Sequence, residues 1–165
     1  MIARLVPIIG LIVAVSLLTD APAEARLTLT EETVHYDIRG DTAADLLDEM
    51  SDKGPEGYWG FTRWWVSWTA NCEVDIEVTY TMPKWLDRDR APTRLRQQWD
   101  RMYQALWLHE KQHGQHGINA GNEIFDTGCS EDPYDIIERW GEADRDYDAR
   151  TQHGWTEGVR LRSQN

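Results

Sequence analysis

Basic side chains are scarce in this sequence, cysteine is nearly absent, and long apolar runs are missing but for one. Seventeen Lys and Arg stand against 29 Asp and Glu, giving a net charge of −12. No basic face can then neutralise a phosphate backbone, so nucleic acid is excluded as a partner, and the same charge opposes adhesion to anionic lipid. The one apolar run, Leu5 to Leu18, is shorter than the roughly 17 to 25 residues of a transmembrane helix, which rules out a multi-span membrane protein. Internal repeats, low-complexity stretches and a Pro- or Gly-rich linker are also lacking. What remains, 165 residues of which 41% are hydrophobic, fits one globular domain.

The apolar run has the layout of a secretory signal. Arg4 precedes it, and Ala23-Glu24-Ala25 follows as a small-x-small cleavage site. The expectation is a signal peptide over residues 1–25 and a single domain over 26–165, secreted or periplasmic, with no stable membrane insertion after cleavage. In an oxidising compartment the only two cysteines, Cys72 and Cys129, are expected to form one disulfide bond.

Hydrophobic periodicity divides the mature chain. Val34 to Ile38 reads as a short strand ended by Gly40, and Asp41 as the N-cap of a helix carrying Ala44, Leu46, Leu47 and Met50. Thr62 to Trp68 and Cys72 to Met82 both alternate. In the second, Val74, Ile76, Val78 and Tyr80 share one parity while Glu73, Asp75 and Glu77 share the other, as a half-buried antiparallel strand requires. After Pro83 the period becomes helical, with Leu95, Trp99, Met102, Tyr103 and Leu106 on one stripe. Gly114, Gly117 and Gly121 are expected to bend or stop this helix. Pro133 to Tyr147 reads as a further, acidic helix. The fold class is therefore α+β, a small antiparallel sheet packed on a long helix.

That helix carries His109-Glu110-Lys111-Gln112-His113, an H-E-x-x-H pattern that occurs once. Residues four apart are separated by 40° of rotation and ~6 Å of rise, so both imidazoles can converge on one ion. Extending the apolar stripe places both on the buried face, where unpartnered polar groups are costly and a metal satisfies them together. Glu110, displaced by 100° from His109, can reach a metal-activated water without ligating the metal, which suits a general base. The spacing thus points to one catalytic Zn2+ with three protein ligands. For the third, His153, Glu138, Glu142 and His116 all compete.

Several segments together resemble the bacterial family of predicted secreted zinc-dependent proteases. They are Tyr36-x-Ile38-x-Gly40, Gly54-Pro55, the tryptophan-rich strand, Cys72, Tyr80-Thr81-Met82-Pro83-x-Trp85, the motif helix and Tyr147-Asp148-x-x-Thr151-x-His153-Gly154. The resemblance implies a zincin-like peptidase and promotes His153 to third ligand beside His109 and His113. Asp148 then supports a ligand histidine through its second ring N–H, and Tyr147 hydrogen-bonds the oxyanion. The expected function is hydrolysis of a peptide or protein substrate by a zinc-activated water with Glu110 as base. The rival is a non-catalytic, zinc-stabilised binding module of the cell envelope, whose tryptophan-rich sheet holds a partner.

Overall fold

The computed structural model describes residues 25–162, so the expected secretory signal, but for its last residue, lies outside the described residues. Six main elements follow in order: β1 (Arg26–Ile38), α1 (Ala43–Lys53), β2 (Phe61–Trp68), β3 (Glu73–Trp85), α2 (Thr93–Asp126) and α3 (Pro133–Thr151). The architecture is α+β, a three-stranded sheet packed on one long helix, and among the described residues no helix is long and apolar enough to cross a membrane.

The alternation in β3 has its expected cause. Val74, Ile76, Val78, Tyr80 and Met82 are all buried against the helices, while the acidic parity faces outward. β2 returns from the same hairpin and pairs antiparallel with β3, but β1 pairs parallel with β3 along its whole length, Arg26 opposite Glu73 and Ile38 opposite Trp85. The sheet is therefore mixed, in the order β1-β3-β2, and not antiparallel. The physical reason is the connection. α1 reverses the chain between β1 and β2 while leaving one strand position open, and the tight β2–β3 turn drops β3 into that gap, pointing the same way as β1. β1 is also far longer than its apolar Val34–Ile38 end, because a central strand can pair with residues that carry little apolar signal of their own. The cap of α1 is Thr42, which exchanges hydrogen bonds with Asp45 in a capping box, one residue later than Asp41.

α2 runs unbroken for 34 residues through Gly114, Gly117 and Gly121. These glycines were expected to weaken it, yet they form the stripe that meets the sheet. A Cβ on Gly114 would stand 2.2 Å from the Tyr80 hydroxyl, on Gly117 2.4 Å from Trp64, and on Gly121 2.3 Å from Ile76. Each glycine costs the helix about 1 kcal/mol relative to Ala, and the close approach to the sheet that it permits offsets this through packing. Two apolar clusters result. One joins α1, the end of β3 and the first half of α2 through Leu46, Met82, Trp99, Met102 and Leu106. The other joins the sheet, the end of α2 and α3 through Val66, Ile76, Ala120, Ile124 and Ile136. The stretch of α2 between Leu106 and Ala120, which carries the histidines, spans the interval between them.

Cys72, at the β2–β3 turn, is bonded to Cys129, just past the end of α2, with Cα atoms 5.6 Å apart. The bond ties the hairpin tip to the helix terminus across 57 residues of sequence. Reducing it is expected to lower the free energy of unfolding by about 2–5 kcal/mol, measured by urea titration with and without reductant. Gly117→Ala is expected to destabilise by about 1–2 kcal/mol in the same assay, because the clash with Trp64 outweighs the gain in helix propensity. A variant as stable as the parent would mean that α2 does not touch the sheet there.

Candidate metal centre

α2 delivers His109, Glu110, His113 and His116 to one buried face, each no more than 7% exposed. α3 crosses back antiparallel and sets Asp144 and Asp148, one turn apart, against these histidines. Past α3 the chain turns sharply through three consecutive left-handed residues, Gln152, His153 and Gly154. Only glycine suits the third: a Cβ there would meet Val159 at 2.5 Å and the His109 ring at 3.1 Å. This turn swings Glu157 back onto His109.

The donor atoms converge. His109 Nε2 and His113 Nε2 are 3.2 Å apart, and Asp148 Oδ1 lies 3.1 Å from each. Behind them, His109 Nδ1 donates to Glu157 Oε2 at 3.0 Å and His113 Nδ1 donates to Asp144 Oδ1 at 2.7 Å. An ionised carboxylate only accepts, so each Nδ1 carries the proton and each Nε2 presents a lone pair to the common point. The supporting carboxylates are themselves held. Asp144 Oδ1 also accepts from His116 Nδ1 at 2.6 Å, and Glu157 accepts from the Tyr147 hydroxyl at 2.9 Å.

Three acceptors facing one another demand a positive charge between them. Without an ion, a proton supplies it: burial opposes charging His113, but the carboxylates of Asp144 and Asp148 outweigh burial and push its pKa up to about 10. Burial would likewise raise Asp148, yet the adjoining imidazoles of His109 and His113 hold its carboxyl well below the usual range. His109, His113 and Asp148 form a group able to hold a metal ion, and a second group, His113, His116 and Asp144, shares His113 with it. In the second, both imidazole Nδ1 atoms already donate to the same Asp144 oxygen, which makes it the support of the first.

Glu110 sits beside the triangle without joining it. The Thr62 hydroxyl, on β2, donates to its Oε2 at 2.7 Å, and Gly60 brings loop backbone so close that a Cβ there would lie 2.7 Å from Oε1. Burial lifts the Glu110 carboxyl above the ordinary carboxylate range, with Thr62 and the two histidines pulling back. A cleft of about 540 Å³ opens over Glu110, His109, His113 and Asp148, between the segments 56–62 and 152–159.

Several residues take places that sequence reasoning did not give them. Asp148, expected behind a histidine, is a member of the donor triangle, and His153, expected as third ligand, lies outside it. The His153 Nδ1 is 3.3 Å from the other oxygen of Asp148, and its side chain is 55% exposed at the cleft mouth. Tyr147 packs its ring on His109 and turns its hydroxyl to Glu157, not to the cleft. Glu138 and Glu142 are exposed and outside both metal-holding groups. Asp144, Glu157 and Thr62 were not foreseen. The Asp144-x-x-x-Asp148 spacing on the acidic helix, matching that of His109 and His113, was a readable signal for the first, whereas the other two had none.

Fold and site together define an α+β domain with a buried histidine–carboxylate centre at the floor of a cleft. The chain belongs to the family described as "Bacterial protein of unknown function (DUF922)", which matches residues 33–154. That span contains every residue of the donor triangle, Glu110, Asp144 and His153, and stops short of Glu157. No match was found among curated proteins or among solved structures.

Proposed function

We propose that the protein is an exported zinc-dependent peptidase, zincin-like in its site, in which His109, His113 and Asp148 hold the ion and Glu110 is the general base. The observation that carries this is the donor triangle with edges of 3.1, 3.1 and 3.2 Å. A tetrahedron whose centre lies about 2.0 Å from each vertex has edges of about 3.3 Å, so the three atoms fit three vertices of a zinc site. The cleft opens over the same three residues and Glu110. A structural zinc is instead closed by four ligands and favours cysteine, and both cysteines here are consumed in their disulfide. The same bond agrees with secretion or a periplasmic location.

A bound zinc supplies Lewis acidity to a peptide carbonyl and lowers the pKa of a neighbouring water. Glu110, poised by burial and by Thr62, would take a proton on a carboxylate oxygen as water oxygen bonds to the peptide carbonyl carbon, and pass that proton to the amine nitrogen as the C–N bond breaks. Asp144 and Glu157 fix the tautomers that turn both Nε2 atoms to the ion. His153 orients Asp148 from its outer oxygen, and Tyr147 anchors Glu157.

Elemental analysis of the protein purified after export is expected to give one zinc per chain, retained in Glu110→Gln and lost in Asp148→Ala. Glu110→Gln is expected to lower peptide hydrolysis by about 10²- to 10⁴-fold. Absence of zinc from the native protein, or undiminished turnover in Glu110→Gln, would overturn the reading. Asp144→Asn and Glu157→Gln are each expected to weaken zinc affinity about 10- to 100-fold, read by competition with a chromophoric chelator. Unchanged affinity in both would remove these carboxylates from the site.

A further inference from the structure

The cleft is chemically polarised along α2. At one end Leu106, one helical turn before His109, shares an apolar cluster with Val159, Phe61 follows Gly60, which abuts Leu106, and Tyr58 and Trp155 add aromatic surface to the lining. Tyr58 and Trp155 leave large aromatic surfaces to water, 42% and 48% exposed, at the mouth of a cleft, where exposed apolar surface marks a binding region. Asp144 and Asp148 sit at His113, one turn further along α2, the exposed Glu56 also lines the cleft, and among the described residues no lysine or arginine does.

Both walls are held in unusual backbone. Glu56, a non-glycine residue, has φ of 56°, and Gln152 and His153 both have φ of 53°. Non-glycine residues stay in the left-handed region only where their surroundings impose it, a pattern common at ligand clamps. The walls meet where the Tyr58 and His153 rings approach to 5.3 Å. Arg160 braces the second wall from outside the cleft, its guanidinium 4.6 Å from the centre of the Trp155 ring and its Nε donating to the Trp155 carbonyl.

We propose that this cleft selects a peptide segment bearing one large apolar side chain, aromatic or branched aliphatic, immediately beside the scissile bond, and rejects acidic residues there. The proposal rests on the peptidase reading. Leu106 and His109 are ~5 Å apart along the helix, so a side chain lodged at the apolar end belongs to a residue flanking the reacting carbonyl. A carboxylate there would lose its hydration among Leu106, Phe61 and Val159 beside Glu110, with no lysine or arginine in the cleft to pair with it.

Two measurements separate this inference from the reading it rests on. The zinc-loaded protein, purified after export, is incubated with a peptide mixture and the new termini are read by mass spectrometry. Independently, Glu110→Gln is titrated with a blocked pentapeptide, acetyl-Ala-Ala-Phe-Ala-Ala-amide, and with its Phe→Asp counterpart, and binding is followed by calorimetry. Cleavage is expected to place Phe, Tyr, Trp or Leu at one fixed position next to the broken bond, at least about tenfold over Ala, and the Phe peptide is expected to bind at least about tenfold more tightly than the Asp peptide. Trp155→Ala is expected to narrow both ratios, chiefly through KM. Cleavage without such a preference, or equal binding of the two peptides, overturns the inference and leaves the peptidase reading standing. Preferential binding of the Phe peptide with no cleavage anywhere overturns the peptidase reading and keeps the cleft as an apolar peptide site.

Discussion

Two imidazole lone pairs and a carboxylate oxygen held within 3.2 Å of one another repel unless a cation or proton lies between them. Everything near the site serves to maintain that arrangement. Both Nδ1 atoms are locked as donors by carboxylates from other parts of the chain, Asp144 from α3 and Glu157 from the segment after it. Those carboxylates are restrained in turn by His116 and Tyr147. The site is thus a nested set of hydrogen bonds around three donor atoms that could hold a metal ion.

Such nesting needs rigid elements at short range, and α2 supplies them through what it lacks. Its three glycines remove the side chains that would hold the helix away from Trp64, Ile76 and Tyr80. Close packing against β2 and β3 then places the Thr62 hydroxyl on Glu110 and the Gly60 backbone against its other oxygen. The carboxyl is buried, partnered and raised in pKa, burial outweighing the pull of Thr62 and of the two histidines. The histidine-bearing turns lie between the two apolar clusters, so packing on both sides holds the donor atoms in place while the cleft side stays open.

The left-handed turn after α3 is the second constraint. Gln152 and His153 accept an unfavourable backbone so that Gly154 can pass under His109 and the chain can return Glu157 and Trp155 to the centre. One short segment thereby contributes a supporting carboxylate, a cleft wall and the exposed His153 ring. It also anchors itself in the core through Val159 and Leu161. Strain at the turn and burial beyond it are two sides of one local compromise.

The sequence alone determined the parts whose signal is periodic or local. Alternation in Val74 to Tyr80 marked β3, a 3.6-residue stripe marked α2, the spacing of His109 and His113 placed both on the buried face, and two cysteines left one intramolecular pairing. Periodicity reports which face of an element is apolar but not what covers it or in which direction its neighbour runs. Tertiary structure alone therefore decided that β1 lies parallel to β3, that the glycines of α2 are contacts and not breaks, and that Asp148 completes the donor triangle while His153 stands outside it. Asp144 and Asp148 reach the histidines across some thirty to forty residues of sequence, and Glu157 across 48. At such separations only the packing of α3 on α2, and the turn that follows it, fixes which carboxylate meets which imidazole.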